Sequence, residues 1–176
     1  MSGNITGRFF RVLSFGESRR IRVGVPPGLG DPMFDTLDGD LSKALMAVPA
    51  AKAVDFEDGF ASARMRGSEA NDQFTVTGGR VQTETNRSGG ILGGISNGMP
   101  IVFRVAFKPT PSIRKPQKTV DLRTMREVEV SVPGRHDPCV VPRAVPVVEA
   151  VTATVLVDHA IAAGLIPRVL GRGRYV

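Results

Sequence analysis

Residues 134–146 combine prolines, two arginines, a histidine and a carboxylate more densely than any helix or strand pattern requires. Asp137 in this segment has three roles open to it: capping a following helix, orienting a cation, or placing a carboxylate beside a ligand nitrogen. His136 stands beside it, and a lone histidine next to Asp and Pro is more often a structural hydrogen-bonding group than a catalyst. Cys139, the single cysteine, is flanked by proline and valine, which favours a buried, unreactive thiol. The segment has the composition of a site.

Two other segments carry groups that suit an anionic ligand. Gly89 to Gly98 offers backbone amides that a flat ligand can approach closely, because glycine has no side chain and accepts positive φ. A bulged connection explains the same glycines. Lys108-Pro109-Thr110-Pro111-Ser112 places one cation and two hydroxyls on a backbone stiffened by two prolines. That pattern indicates either a phosphate or ring clamp or a proline-stiffened turn.

Residues 64–72 form a further polar stretch, for which two interpretations remain open. Its side chains either shape the rim of a site or satisfy neighbouring backbone amides within a loop. The polar members are Arg64, Arg66, Ser68, Glu69, Asn71 and Asp72. His159, by contrast, lies inside an apolar run, and we assign it to packing.

Taken together, residues 85–98, 107–113 and 134–146 resemble the chorismate synthase family, as do Gly3-Asn4 and residues 15–18 at the start of the chain. The resemblance covers Met1 to Ser18 and then about Pro27 to about Ala162. After Ser18 the family continues with His-Gly and a segment of roughly half its length, whereas this chain passes through Arg19 into the family's second half. Such a protein eliminates phosphate from 5-enolpyruvylshikimate 3-phosphate to give chorismate, with reduced flavin mononucleotide (FMN), in the shikimate pathway to aromatic amino acids.

The resemblance also implies the site residues. The positions implied to bind the cofactor are Asn97, Lys108, Pro109, Thr110, Ser112, Arg135 and Asp137. Asp137 is in addition the implied catalytic carboxylate, Ser18 and Arg19 are implied to bind substrate, and no metal is expected. Arg19 falls where the family has an acid histidine, and a guanidinium does not give up a proton in proteins. Two functions follow: a compact chorismate synthase of doubtful activity, or a catalytically silent FMN-binding or assembly protein that retains the fold.

The predicted elements alternate strands with two long helices. They are a strand over Phe9–Phe15, a helix over Asp31–Val48, strands over Val54–Glu57, Ile101–Phe107 and Val128–Val132, and a helix over Arg143–Ala163. Pro32 at the first helical position and Pro49 bound the first helix, and Gly164 ends the second. Residues 59–74 and 89–98 are expected to be irregular because of their glycines.

The expected fold is α+β: a chorismate-synthase-like β-α-β sandwich reduced to about one of its two similar halves. We expect one domain over residues 1–176, made of the opening strand and motif (1–18), a junction (19–26), the family's C-terminal half (27–166) and a basic tail (167–176). The second helix is apolar on nearly every face and would lack its internal partner. A second copy of the chain is the simplest cover, which predicts a homodimer or homotetramer.

Charge and composition limit the classes of partner that this chain is expected to bind. The net charge is +6, but 18 of the 23 cations are dispersed arginines, which suit carboxylates and phosphates of small ligands. With no tryptophan and one tyrosine, we expect no nucleic-acid binding. The run from Val140 to Ile166 carries four polar interruptions, so we expect no membrane span. The single cysteine and the absence of a leader pattern favour the cytoplasm.

Overall fold

The computed structural model describes residues 11–14, 19–136 and 139–166. Its strands are β1 (Arg11–Ser14), β2 (Arg19–Val23), β3 (Ala51–Phe56), β4 (Phe74–Thr77), β5 (Arg80–Thr83), β6 (Ile91–Leu92), β7 (Ile95–Ser96), β8 (Ile101–Phe107), β9 (Gln117–Asp121) and β10 (Arg126–Val130). Its helices are α1 (Leu37–Met46), the short α2 (Gly67–Ala70) and α3 (Val141–Ala162), with a 3₁₀ turn over Gly59–Arg64.

Four strands form one antiparallel sheet in the order β1-β2-β8-β3, and the remaining strands form three two-stranded hairpins. β8 is a central strand of the sheet. Ile101, Phe103 and Val105 share one face of the strand and are buried, and Val102 on the other face is buried as well. The predicted strand over Ile101–Phe107 is therefore confirmed with the same bounds.

α1 contacts both β3 of the sheet and α3. Leu37, Leu41 and Leu45 recur every four residues and form one fully buried stripe along α1. Val148 and Leu156 of α3 belong to the same core cluster. The described part of the chain thus packs an antiparallel sheet and two long helices around one core, which confirms the α+β class.

The predicted start of the first helix is wrong. Asp31 and Asp35 exchange backbone hydrogen bonds of 2.8 and 3.0 Å in a tight turn, which leaves Phe34 88 % exposed. The helix begins after Thr36, whose Oγ1 accepts a hydrogen bond from the amide of Gly39 at 3.3 Å. The helix is capped by the threonine directly before the buried leucine stripe and not by the Asp-Pro pair that begins five residues upstream.

Other boundaries shift by a few residues. The first strand is described only over Arg11–Ser14, β3 begins earlier than predicted and β10 ends at Val130. Residues 59–74, expected to be irregular, contain the 3₁₀ turn and α2. The expected junction after Ser18 contains β2, which lies between β1 and β8 in the sheet.

α3 begins two residues before its predicted start, with Pro142 in its first turn, and ends where Gly164 takes a φ of 73°. By length and composition it is apolar enough to cross a membrane, with a mean hydropathy of 1.5 over an 18-residue window that is 22 % buried. The four polar residues leave the helix apolar enough to cross a membrane, so they are weaker evidence against a membrane span than the sequence analysis assumed. One side of the helix nevertheless packs on α1, where His159 Nε2 lies 3.0 Å from Asp40 Oδ2.

Candidate functional site

The loop that follows β8 holds four of the predicted ligand positions: Lys108, Pro109, Thr110 and Ser112. The amide of Lys108 donates to the carbonyl of Ala50 at 2.8 Å, which ties the start of the loop to the residue before β3. Lys108, Pro109 and Ser112 are exposed, and Thr110 is half-buried. The loop therefore presents its cation and the Ser112 hydroxyl to solvent.

The two segments that flank the β9–β10 hairpin are joined by side-chain hydrogen bonds. Arg114 Nε donates to the carbonyl of Gly134 at 3.1 Å, and Ser131 Oγ donates to the carbonyl of Arg114 at 2.9 Å. Gln117 Nε2 adds a bond to the carbonyl of Pro111 at 3.1 Å. These bonds hold Arg114 beside Ser131 and Gly134, which follow it by 17 and 20 positions in the sequence.

We call the group formed by Lys108, Thr110, Ser112 and Arg135 the cationic clamp. Within the described residues, neither Lys108 nor Arg135 has an ion-pair partner, and both are exposed. The Oγ1 atom of Thr110 is buried and has no hydrogen-bond partner there. A hydroxyl without a partner and two cations without ion-pair partners are groups that suit the phosphate of a mononucleotide, since charge-assisted hydrogen bonds are the strong ones. The clamp therefore fits the phosphate end of FMN.

Asn97 does not join the clamp. It precedes β8, whereas Lys108 follows it, and a seven-residue strand spans roughly 20 Å. Asn97 Oδ1 accepts from the amide of Met99 at 2.9 Å, while its Nδ2 is buried without a partner among the described residues. Asn97 lines a mostly apolar cleft of about 810 Å³ together with Pro27, Phe74, Arg80 and Ile95.

The glycines of residues 89–98 allow backbone segments to pack closely against each other. A side chain at Gly30 would overlap the carbonyl of Gly94, and a Cβ at Gly89 would lie 2.7 Å from the carbonyl oxygen of Val102. The amide of Leu37 donates to the carbonyl of Gly94 at 2.9 Å. Between the glycines, the expected irregular region contains the small β6–β7 hairpin. Close backbone approach explains these glycines without a ligand, which supports the structural interpretation.

Asp72 organises the polar stretch over residues 64–72. Its carboxylate, 4 % exposed, accepts from Thr85 Oγ1 at 2.5 Å and from the amides of Arg87 and Ser88, each at 2.9 Å. Burial alone would raise the pKa of Asp72, but these hydrogen bonds outweigh it and hold the pKa below its usual value. The interpretation of this stretch as a self-satisfied loop is therefore the better supported.

Replacing Asp72 tests that role. A lowered folded-state pKa adds stability above about pH 4, where the unfolded carboxyl ionises, and that stability is lost as pH falls through the folded-state pKa. We expect Asp72→Asn to lower the free energy of unfolding by about 1 to 3 kcal/mol at pH 7, because its amide donors face the donors of the loop. Urea unfolding should show a smaller difference between the two proteins at pH 3. An equal difference at both pH values would contradict the assignment.

A second cavity of about 500 Å³ borders this loop, and sequence reasoning missed it. Arg87 Nη1 lies 3.1 Å from Asp58 Oδ2 at its wall, and Phe60 stands at its edge with 84 % of its surface exposed. Pairs this far apart in sequence leave no local pattern. Across the described residues, no group of three or more His, Cys, Asp or Glu side chains is arranged to hold a metal ion.

The remaining predicted positions are only partly described. Ser18 and Asp137 lie outside the described residues, and of Arg19 only the backbone is described, paired with Ser14 and Val105 in β2. His136 lies 3.0 Å from the carbonyl of Val132 through Nε2, in keeping with a structural role. Cys139 is exposed, so the expectation of a buried thiol is wrong. The flanking proline and valine did not determine its burial.

The comparisons with known proteins agree with one another. A sequence model of the chorismate synthase family matches residues 11–161. A chorismate synthase of Aeropyrum pernix is 64 % identical over 138 residues, which is 78 % of this chain and 36 % of that protein. One from Korarchaeum cryptofilum is 58 % identical over 144 residues, or 82 % and 40 % of the two lengths. A crystal structure of a chorismate synthase superposes with a TM-score of 0.64 at 33 % identity, covering 83 % of this chain and 37 % of the other.

Proposed function

Because the chain belongs to the chorismate synthase family, we propose that it binds reduced FMN and takes part in eliminating phosphate from 5-enolpyruvylshikimate 3-phosphate to give chorismate. The chain spans about 40 % of the length of the curated relatives it matches, so the whole enzyme's reaction, substrate and cofactor are carried over as proposals. A cytoplasmic location and a homo-oligomer belong to the same proposal.

The observation that carries the proposal is the cationic clamp. Lys108 and Arg135 place two cations at the surface, on the two segments that flank the β9–β10 hairpin, and neither forms an ion pair with a carboxylate of the described residues. Arginine offers a bidentate fork to a phosphate and lysine a compact charge. The buried Oγ1 of Thr110 has no partner there and supplies a donor once the loop adjusts around a ligand. These groups would hold the cofactor phosphate.

The other predicted residues would act near the flavin ring and the substrate. The bound reduced flavin supplies electron density to the substrate during loss of phosphate. Asp137, two residues after Arg135, would place a carboxylate near a flavin nitrogen and hold a proton there. Ser18 and Arg19 would bind the substrate phosphate, and Arg19 would do so without donating a proton.

Flavin titration tests the proposal. We expect Lys108→Ala combined with Arg135→Ala to raise the dissociation constant of FMN at least about a hundredfold, since hydrogen bonds to charged groups contribute about 1.5 to 3 kcal/mol each. The matched control is Lys43→Ala with Arg64→Ala, which removes the same charge at two exposed positions in α1 and the 3₁₀ turn, outside the clamp and the β9–β10 hairpin. Flavin fluorescence quenching measures both. No saturable binding by the unmodified protein, or equal losses in the two variants, would reject the proposal.

The alternative is a catalytically silent FMN-binding or assembly protein. The partial coverage of the relatives favours it, because a segment of the family that carries acid and substrate-binding groups has no counterpart here. An FMN-binding protein would also bind flavin, whereas an assembly protein need not, and only the first function predicts phosphate release from 5-enolpyruvylshikimate 3-phosphate.

A further inference from the structure

The cavity of about 500 Å³ beside the 3₁₀ turn, which we call the turn cavity, is lined by the end of β3, the 3₁₀ turn and residues 87–88. Its volume lies in the range of small-molecule sites. It is separate from the cationic clamp, because Lys108 is tied to Ala50 before β3, whereas Asp58 of the cavity follows β3, and a six-residue strand spans roughly 20 Å. The turn cavity is therefore a second candidate site, away from the proposed flavin phosphate.

An ion pair in the cavity wall has bonding capacity left at both charges. Arg87 Nη1 lies 3.1 Å from Asp58 Oδ2, and the amide of Asp58 donates to the carbonyl of Arg87 at 3.2 Å, so backbone and side chains both join these residues. Nη1 also lies 3.7 Å from Met65 Sδ. Among the described residues, Nε and Nη2 of Arg87 and Oδ1 of Asp58 have no hydrogen-bond partner. The pair can donate to one ligand group and accept from another without breaking.

The second carboxylate of the wall is already occupied. Asp55 accepts from Arg104 Nε at 2.8 Å and from Arg104 Nη2 at 2.6 Å, so its charge is balanced. These two ion pairs together contribute no net charge to the wall. A simple anion bound to Arg87 would also meet the carboxylate of Asp58, and a simple cation bound to Asp58 would also meet the guanidinium of Arg87. A ligand group that carries both charges is attracted at both ends.

The rest of the lining is mostly apolar and includes two aromatic rings. Phe60 at the edge is 84 % exposed, so its ring is available to a ligand. Phe56 packs on Phe103 of β8, with ring centroids 6.0 Å apart. Ala63 and Ala70 add short side chains that leave space in the cavity. Because aromatic rings attract one another in stacked and edge-to-face arrangements, this lining suits a ligand that carries a ring.

We propose that the turn cavity binds an α-amino acid with an aromatic side chain. The ligand carboxylate accepts from Nε and Nη2 of Arg87, since a guanidinium binds carboxylates bidentately. The ligand ammonium donates to Oδ1 of Asp58, and its ring lies against Phe60. None of these contacts involves flavin or the cationic clamp, so the site goes beyond the proposed function and does not depend on it.

Titration with phenylalanine, followed by the amide chemical shifts of the ¹⁵N-labelled protein, tests the ligand class. We expect saturable binding with a dissociation constant of about 1 mM or below, and shifts at the amides of Gly59, Ser62 and Ser88. Compounds that lack one group of the ligand should bind at least about tenfold more weakly. They are 3-phenylpropionate without the ammonium, 2-phenylethylamine without the carboxylate and alanine without the ring. Absence of saturation, shifts confined to other residues, or equal affinity for any of the three compounds overturns the proposal.

Removing the exposed ring tests the location. We expect Phe60→Ala to weaken phenylalanine binding at least about tenfold. The matched control is Phe34→Ala, which removes a ring that is 88 % exposed in the turn before α1 and should leave the affinity unchanged. An unchanged affinity in Phe60→Ala, or equal losses in the two variants, overturns the proposal.

Removing one charge tests the recognition of both ends of the ligand. The side chain of Asp58 makes no capping bond to the 3₁₀ turn, so Asp58→Asn leaves that turn intact. We expect this variant to bind phenylalanine at least about tenfold more weakly and 3-phenylpropionate no more weakly than the unmodified protein, because only phenylalanine has an ammonium. Equal losses for both ligands, or none for phenylalanine, overturn the assignment. Far-ultraviolet circular dichroism checks the fold, and if Asp58→Asn unfolds, Ala63→Phe replaces it by filling the cavity from an exposed position and should abolish binding. Retained binding in Ala63→Phe overturns the proposal.

Discussion

The chain by itself is expected to release phosphate from 5-enolpyruvylshikimate 3-phosphate at least about a hundredfold more slowly than a full-length family member. Arg19 stands where the resemblance places an acid histidine, and a positioned proton donor contributes about a hundredfold to ten-thousandfold in rate. The relatives are matched over only about 40 % of their length, so substrate-orienting cations of the other segment are also lacking.

Phosphate release under reduced FMN at saturating substrate measures this difference. The controls are a full-length relative and Arg19→His, which should recover little because the other phosphate-binding groups remain absent. Turnover of the unmodified chain within tenfold of the full-length relative would contradict the prediction. It would also reject the silent-protein alternative.

A charge on the outer side of α3 is expected to reduce the assembly and leave the fold intact. With 100° of rotation per residue, Val147 and Val157 lie opposite the buried stripe of Val148, Leu156 and His159, and they are 44 % and 47 % exposed. An apolar helix face of this kind requires a cover. Val157→Asp should therefore lower the native mass by about half, because a second copy of the chain is the expected cover.

The contrasting variant is Val148→Asp, at a position that is 3 % exposed on the same helix. A buried carboxylate without a partner should lower the free energy of unfolding by at least about 3 kcal/mol. Light scattering and urea unfolding distinguish assembly from stability. An unchanged mass for Val157→Asp would remove α3 from the assembly, and partition of the unmodified protein onto neutral lipid vesicles would point to a bilayer as the cover.

The elements that could be predicted are those whose own pattern decides them. β8 is a run of apolar residues interrupted only by Arg104, and α3 is a long, mostly apolar run that ends before a glycine, so both were placed within two residues. The start of α1 was not, because Asp31-Pro32 and Thr36 both resemble caps and the choice depends on which turn sets Leu37 into the core. The start of the helix is therefore decided by tertiary contacts, which no local sequence rule describes.

The candidate site shows the same division. Lys108 to Ser112 and Arg135 were identified from the resemblance, but the bond from Arg114 to Gly134, which joins the segments on either side of a hairpin, leaves no local sequence pattern. The separation of Asn97 from that group likewise follows from its place before β8 and could not be inferred from motif order. The sequence left two interpretations of Asp72 open, because only the structure shows that its carboxylate accepts hydrogen bonds from three donors in residues 85–88.

The glycine segment has a consequence for how function is inferred from sequence in such proteins. Its glycines at 89, 90 and 94 stand where added side chains would collide with the carbonyl of Val102, the carbonyl of Pro100 and the side chain of Thr36. Selection against those collisions acts on every chain that adopts this backbone crossing, with or without a bound ligand. The glycine pattern therefore indicates the course of the backbone and not a bound ligand. A search that used it to find active enzymes would also return inactive proteins that keep the crossing, and the residues of the cationic clamp would be the better criterion.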